Sequence, residues 1–391
     1  ITDTVPITAA GNLTISGSGS LTIQTNSDKT GFNTINGITD LYVENINLTT
    51  SGLTGLMAEN VVIKNAVIDI YGYRYGIHSS SKTEGKNLKV NLINCTGKIT
   101  GKLLQGIEIS NQKEGDIELN IENCNDLIVS GNTTNKGLSG VFERSGARLY
   151  TINPKSNATV NIKNSNNINF YGTNTGIAID CHSDDSSVLE GNGKSSLIIN
   201  NSTVLAETIT NTWSAFFINN NGVGVDATSE ILIQNSIVKA LAPNDVAIMT
   251  STKNTASSVT IRNSILELAG VYAGIRAKSN TSLDAEIYVI EKSLIVVVDK
   301  ISKNYKALDE MDKGTSSDGI SGVDENSVVV SPKDCEIIIK EDGNWEIPDE
   351  GTVLINGEEK KFTYGGVIKE SGEVLPYITS LNDTEFSDLN E

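Results

Sequence analysis

Histidine and proline are scarce in this 391-residue chain, with two and six copies, and cations are outnumbered. Thirty Lys and Arg against 48 Asp and Glu leave a net charge of −18. A nucleic-acid backbone is neutralised by Lys and Arg, so this balance argues against it as a partner. No run of 18 apolar residues exists, which excludes a membrane-spanning helix. There is no Walker loop, no GxGxxG before a helix and no CxxC, so nucleotide and structural-zinc readings find no support. The four cysteines, Cys95, Cys124, Cys181 and Cys335, are too few for a disulfide-stapled scaffold. Low proline together with regular apolar alternation argues against disorder.

What the chain has in abundance is asparagine: 43 copies, 37 of them before residue 300. Helix formers are scarce over the same stretch, and short β-branched runs of the form V-x-I-x dominate, which predicts an all-β fold. The frame apolar-x-apolar-x-Asn recurs, ending at Asn45, Asn65, Asn94, Asn123, Asn164, Asn201, Asn235 and Asn263, with Glu291 in the ninth place. Several of these Asn precede Ser or Cys, small residues that suit a tight corner.

A second frame, Gly or Ala followed by apolar residues, begins at Gly55, Gly76, Gly106, Gly140, Gly176, Ala215, Ala247 and Gly274. Steps from Asn forward to this frame run from 10 to 17 residues, and steps back to the next Asn from 10 to 25. One arc of the repeat is therefore expected to be nearly constant and the other to carry insertions.

Short strands joined by single-residue corners are what a parallel β-solenoid needs, because one coil cannot bury its apolar face alone. Asn suits the corner because it tolerates the left-handed backbone region, and stacked amides can hydrogen-bond from coil to coil. About ten coils at the ~4.8 Å strand spacing predict a rod roughly 45 Å long.

On these frames the chain resembles the right-handed parallel β-helix proteins, the pectate-lyase-like superfold. GNLTISGSGSLTI at residues 11–23 and the later coils are similar to repeat proteins of Gram-positive cell surfaces. The resemblance covers residues 10–300 and implies a secreted or cell-surface setting. It does not fix an activity, since the superfold hosts lyases, hydrolases, adhesins and scaffolds.

Composition changes near residue 300, so the expected division is a β-helix over 1–300 and an acidic region over 301–391. Residues 300–391 hold 21 acidic and 9 basic side chains. Ile301, Tyr305, Leu308 and Met311 have helical spacing, and the strands and hairpins beyond them predict a β-rich C-terminal cap or small module. The final SLNDTEFSDLNE reads as a linker or flexible tail. LPYIT at 375–379 lacks the Gly and apolar tail of a cell-wall sorting signal.

Candidate chemistry is sparse. IDCHSDD gathers Asp180, His182, Asp184 and Asp185, the one local set with the carboxylates that a polysaccharide lyase or glycoside hydrolase requires. It faintly resembles the Asp-rich strand of polygalacturonase-like hydrolases, but the Gly-His-Gly and Arg-Ile-Lys elements of that pattern are absent. The opposing reading is a polar insertion loop. Cys95 and Cys124 share one corner position in successive coils and should stack as small residues without a redox role.

The second residue after each Gly or Ala should point outward, giving the column Met57, His78, Glu108, Phe142, Ala178, Phe217, Met249 and Arg276. The column before each corner Asn, from Glu44 and Lys64 to Arg262, is a solvated polar face. The first column puts rings where water should lie, with Tyr73, Tyr75, Tyr171, Trp213 and Tyr272 close by. Met57, His78, Glu108, Phe142, Phe217 and Arg276 are therefore the candidate glycan-binding residues. The opposing reading has residues 143–159 and 180–196 folded over them. The expectation is a non-catalytic, adhesin-like extracellular or cell-surface β-helix that binds a glycan or a cell surface, with a lyase or hydrolase as the alternative. No intrinsic cofactor is implied, and calcium enters only as a bridge to an anionic polymer.

Overall fold

The computed structural model describes residues 7–9, 11–25, 33–37, 39–132, 144–153, 155–181, 192–208, 213–220, 227–242, 245–252, 256–270, 272–279, 285–291 and 293–297. Beyond these it describes short strand segments between 322 and 385. Among the described residues there is no helix, and the protein is an all-β parallel β-helix.

Each coil lays one strand on each of three sheets. The first sheet carries the strands that lead into the corner Asn, from Leu13–Ser16 and Asp40–Glu44 through Ile117–Glu122 to Ala285–Ile290. The second carries the strands that leave the corner, such as Asn125–Gly131, Asn166–Gly172 and Ile265–Gly270. The third carries Ile107–Asn111, Ser145–Thr151, Thr175–Cys181, Phe216–Asn220, Ile248–Thr252 and Ile275–Ser279. Asn60–Ser81 runs unbroken through all three.

Every pairing between coils is parallel and almost free of register shifts. Val90, Leu119, Val160, Leu197, Ile231 and Val259 therefore align in one inward column. All six are at most 1% exposed. Burial of this kind stabilises by roughly 25 cal/mol per Å2 of apolar surface, which is what makes the alternating V-x-I pattern fold as stacked strands.

The corners fall where the repeat predicted them. Asn45, Asn65, Asn94, Asn123, Asn164, Asn201, Asn235, Asn263 and Glu291 all have φ between 45° and 57°. Their side chains form a ladder: the amide of Asn65 donates to Asn45 Oδ1 at 2.9 Å, Asn94 to Asn65 at 2.8 Å, and Asn201 to Asn164 at 3.1 Å. A second ladder runs just inside it. The backbone N–H of Ser165 donates to Ser202 Oγ, Ser202 to Ser236, Ser236 to Ser264, and Ser264 to Ser293, at 3.1–3.2 Å. Each hydroxyl thus satisfies a buried donor of the coil before it. Cys95 and Cys124 stand in this same inner ladder, where the N–H of Cys95 meets Cys124 Sγ at 3.4 Å.

This corner gives a first prediction. In Asn201→Ala the left-handed backbone is strained and the amide bond to Asn164 is lost, for a cost of about 1–3 kcal/mol. Asn201→Gly keeps the backbone relaxed and should cost about half as much. Urea-unfolding midpoints of the two variants check the order.

Three sequence expectations change. The solenoid continues past residue 300: Gly322–Val323 pairs with Tyr288–Val289, and Val328–Val330 with Leu294–Val296, all in parallel. Ser293 N–H still reaches Ser327 Oγ at 3.1 Å, so the serine ladder carries into this added coil. The stretch read as a tail contains strand: Ser380 and Leu381 pair with Glu385 and Thr384. The segment from Leu375 to Thr379 lies within the strand Val374–Leu381, part of an antiparallel four-stranded sheet with Glu350–Ile355 and Glu358–Ile368. The proposed helix near Ile301 lies outside the described residues.

The third change concerns the coil that the sequence frame starts at Gly140. The third-sheet strand actually begins at Ser145, with Gly146 in the glycine position and Arg148 paired with both Glu108 and Ala178. The insertion 133–143 therefore lies between the second and third sheets, in the arc expected to be constant. Gly140-Val-Phe imitated the repeat because the insertion carries its own Gly and apolar pair. The true glycine column is crowded: a Cβ on Gly106 would sit 2.7 Å from the carbonyl oxygen of Gly146, and one on Gly146 2.7 Å from that of Gly176.

Candidate functional site

The outer face of the third sheet carries the predicted column in register. Met57 pairs with His78, His78 with Glu108, Glu108 with Arg148, Arg148 with Ala178, Ala178 with Phe217, Phe217 with Met249, and Met249 with Arg276. Phe142 lies outside the described residues, and its expected place is taken by Arg148. Met57, His78, Met249 and Arg276 are half-buried. The middle of the face is closed to water: Glu108 is 6% exposed and Phe217 4%. Phe217 meets Trp213 edge-on, with ring centroids 5.0 Å apart. The expectation that Glu108 and Phe217 face water therefore does not hold in this structure.

The closed middle is a charge cluster. Arg148 Nη1 lies 3.8 Å from Glu108 Oε1, and Nη2 lies 3.9 Å from Asp180 Oδ2. Its guanidinium carbon sits 4.4 Å from the centroid of the Tyr150 ring. Asn219 Nδ2 donates to Asp180 Oδ1 at 3.1 Å, and Asp180 is 1% exposed. Alternation puts Asp180 on the outer face two residues after Ala178, beside the column rather than in it. Sequence reasoning missed Arg148 because the frame was misplaced. The signal was there in Gly146-Ala-Arg-Leu, which fits the frame better than Gly140-Val-Phe.

The first coils of the same face are built differently. Tyr75 and His78 stack at 4.5 Å between centroids with 19° between their planes. Arg74 lies 5.9 Å from the Tyr75 centroid, and Lys102 lies 5.1 Å from that of Tyr73. The N–H of Lys102 donates to Gly72 O and that of Leu103 to Tyr73 O, so these residues share the corner between the second and third sheets.

Burial, and then the positive charge of Arg74, push the His78 imidazole down to about 4. Its unfolded value is near 6.5. Protonation therefore favours the unfolded chain, and the stability that His78 contributes is complete above about pH 6.5 and lost as pH falls toward 4. Relative to His78→Gln, the wild type should lose about 1–3 kcal/mol more between pH 7 and pH 4, as read from urea unfolding at the two pH values. Asp245 works in the opposite sense. Burial raises its carboxyl to about 6, so its contribution is present at low pH and lost as pH rises through 6. The comparison with His78→Gln cancels it.

Of the candidate catalytic set, Asp180 is described, and His182, Asp184 and Asp185 lie outside the described residues. Among the described residues no group of three His, Cys, Asp or Glu is placed to hold a metal ion. Cys95, Cys124 and Cys181 are buried free thiols, and burial pushes Cys181 up to about 12. At that value it is a packed thiol and no nucleophile at neutral pH. No helix among the described residues is long and apolar enough to cross a membrane.

The fold and this face define a parallel β-helix whose third sheet presents stacked rings and cations at one end and a sealed ion cluster in the middle. Comparison with protein-family models, with curated proteins and with solved structures finds no match.

Proposed function

We propose that this chain is a non-catalytic, adhesin-like rod of an extracellular or bacterial cell-surface protein, and that it binds a glycan on the third sheet. The observation that carries the reading is the half-buried Tyr75–His78 stack beside Tyr73, Met57 and the exposed Arg74. Flat rings on a long rigid sheet suit the apolar faces of sugars, with polar neighbours to orient them. The likeness of the sequence frames to the pectate-lyase-like superfold, and to repeat proteins of Gram-positive surfaces, supports the same setting. Such a site needs no cofactor. Phe217 is too deeply buried to take part without rearrangement, which supports reading the first coils as the binding end.

The alternative is a lyase or hydrolase working through Asp180, His182, Asp184 and Asp185. Asp180, the described member of that set, is 1% exposed and lies 3.9 Å from Arg148 Nη2, which argues against it as an acid or base in reach of a substrate.

The test is affinity for soluble polysaccharides alongside release of reducing ends. The reading expects retention without new reducing ends, and at least about tenfold weaker retention in Tyr75→Ala/His78→Ala. Chain shortening by the wild type would replace the binding reading with the enzymatic one.

A further inference from the structure

The acidic balance of the chain, −18 overall, makes a local excess of positive charge informative. Several carboxylates of the first coils are taken up in ion pairs with other cations. Asp69 meets Lys98 at 3.5 Å, Glu59 meets Lys86 at 3.0 Å, and Glu108 meets Arg148 at 3.8 Å. Among the described residues Arg74 and Lys102 have no carboxylate partner, and each is set instead against a tyrosine ring. They belong to successive coils and flank the Tyr73–Tyr75 corner, with Arg74 exposed and Lys102 half-buried. Their backbones are fixed by the coil-to-coil bonds of Lys102 to Gly72, Leu103 to Tyr73 and Leu104 to Arg74, at 2.9–3.1 Å. Arg74 is close enough to His78 to help lower the basicity of its imidazole.

Two held cations beside rings form a mixed recognition surface. A ring can cover the face of a sugar, while a guanidinium and an ammonium engage an anionic group projecting from it. Neutral sugars would leave both cations unused, and an unadorned polyanion would leave the rings unused.

We propose that the corner formed by Tyr73, Arg74, Tyr75, His78 and Lys102 is a subsite for a sugar bearing an anionic substituent, a carboxylate or a sulfate, bound without a bridging metal. This rests on the glycan-binding reading above and adds to it the charge of the ligand. The surrounding acidity of the protein limits such binding to the corner and makes it sensitive to salt.

The experiment is native affinity electrophoresis of the full chain in EDTA, through gels containing dextran, dextran sulfate, a polyuronate or poly-glutamate, at low and high salt. The wild type should be retarded by dextran sulfate or the polyuronate, the responding gel telling sulfate from carboxylate, and less so at high salt. Arg74→Gln/Lys102→Gln should weaken that affinity by about tenfold or more. Lys113→Gln/Lys155→Gln removes the same charge from exposed sites elsewhere and should leave it unchanged. Equal retardation by poly-glutamate would overturn the subsite, since simple polyanion attraction would then suffice. So would an unaltered Arg74→Gln/Lys102→Gln variant. Retardation by dextran alone would overturn the anionic subsite and leave glycan binding standing, whereas no retardation in any gel would remove both.

Discussion

Phe170→Ala is expected to cost about 3–5 kcal/mol of unfolding free energy, among the largest losses from the interior of the rod. Phe170 is fully buried, points inward from the second sheet, and is stacked between Val129 of the coil before and Ala206 of the coil after. The small Ala206 is what makes room for the ring. Parallel pairing on both sides fixes the strand Asn166–Gly172 in place, so the walls cannot close over the space that the ring leaves. The guanidinium-unfolding midpoint should fall sharply, with the far-UV spectrum of the folded state unchanged. A loss below about 1 kcal/mol would mean that the coils slide or collapse more freely than the register implies.

Arg148→Met is expected to cost about 3–5 kcal/mol, for a different reason. It leaves the carboxylates of Glu108 and Asp180 buried with the shared guanidinium gone. The diagnostic variant is Glu108→Gln/Arg148→Met/Asp180→Asn, which removes all three charges together. Burying charge costs several kcal/mol per ion, so the neutral triple variant should recover most of the loss. Urea-unfolding midpoints for the two proteins make the comparison. If the triple variant is as unstable as Arg148→Met, packing by the arginine stem matters more than charge balance.

The corners were legible in the sequence because they impose a backbone condition that few residues satisfy. Eight Asn and then Glu291 occupy left-handed positions, and the sequence frame found all nine without reference to spacing. The inward columns were legible for a similar reason, since alternation in a strand has a fixed period. Register on the third sheet was not. Its strands begin at a Gly or Ala whose only requirement is smallness, and an insertion can offer a decoy, as Gly140 did. Asp126 and Asn167 also take left-handed φ, at 50° and 55°, one strand apart and joined by an amide-to-carboxylate bond of 2.7 Å. Nothing in the five-residue frame marks this added bend.

The site was less legible than the fold. His78 and Met57 fall where the outward column places them, and Tyr75 was already read as adjoining it. The burial of Glu108, Phe217 and Asp180 is a tertiary fact with no periodic signature. Arg148 joins two carboxylates that are 72 residues apart in the chain, a contact that only the stacking of coils creates. The pairing of Arg74 and Lys102 with tyrosine rings likewise depends on which corners stack on which.

The most direct test of the central claim is the migration of the wild-type protein through native gels that contain neutral and acidic polysaccharides, followed by staining of the gels for polymer. The account predicts slower migration in at least one gel and an intact polymer around the protein band. A cleared zone would contradict it in favour of an enzyme, and unchanged migration in every gel would contradict glycan binding itself.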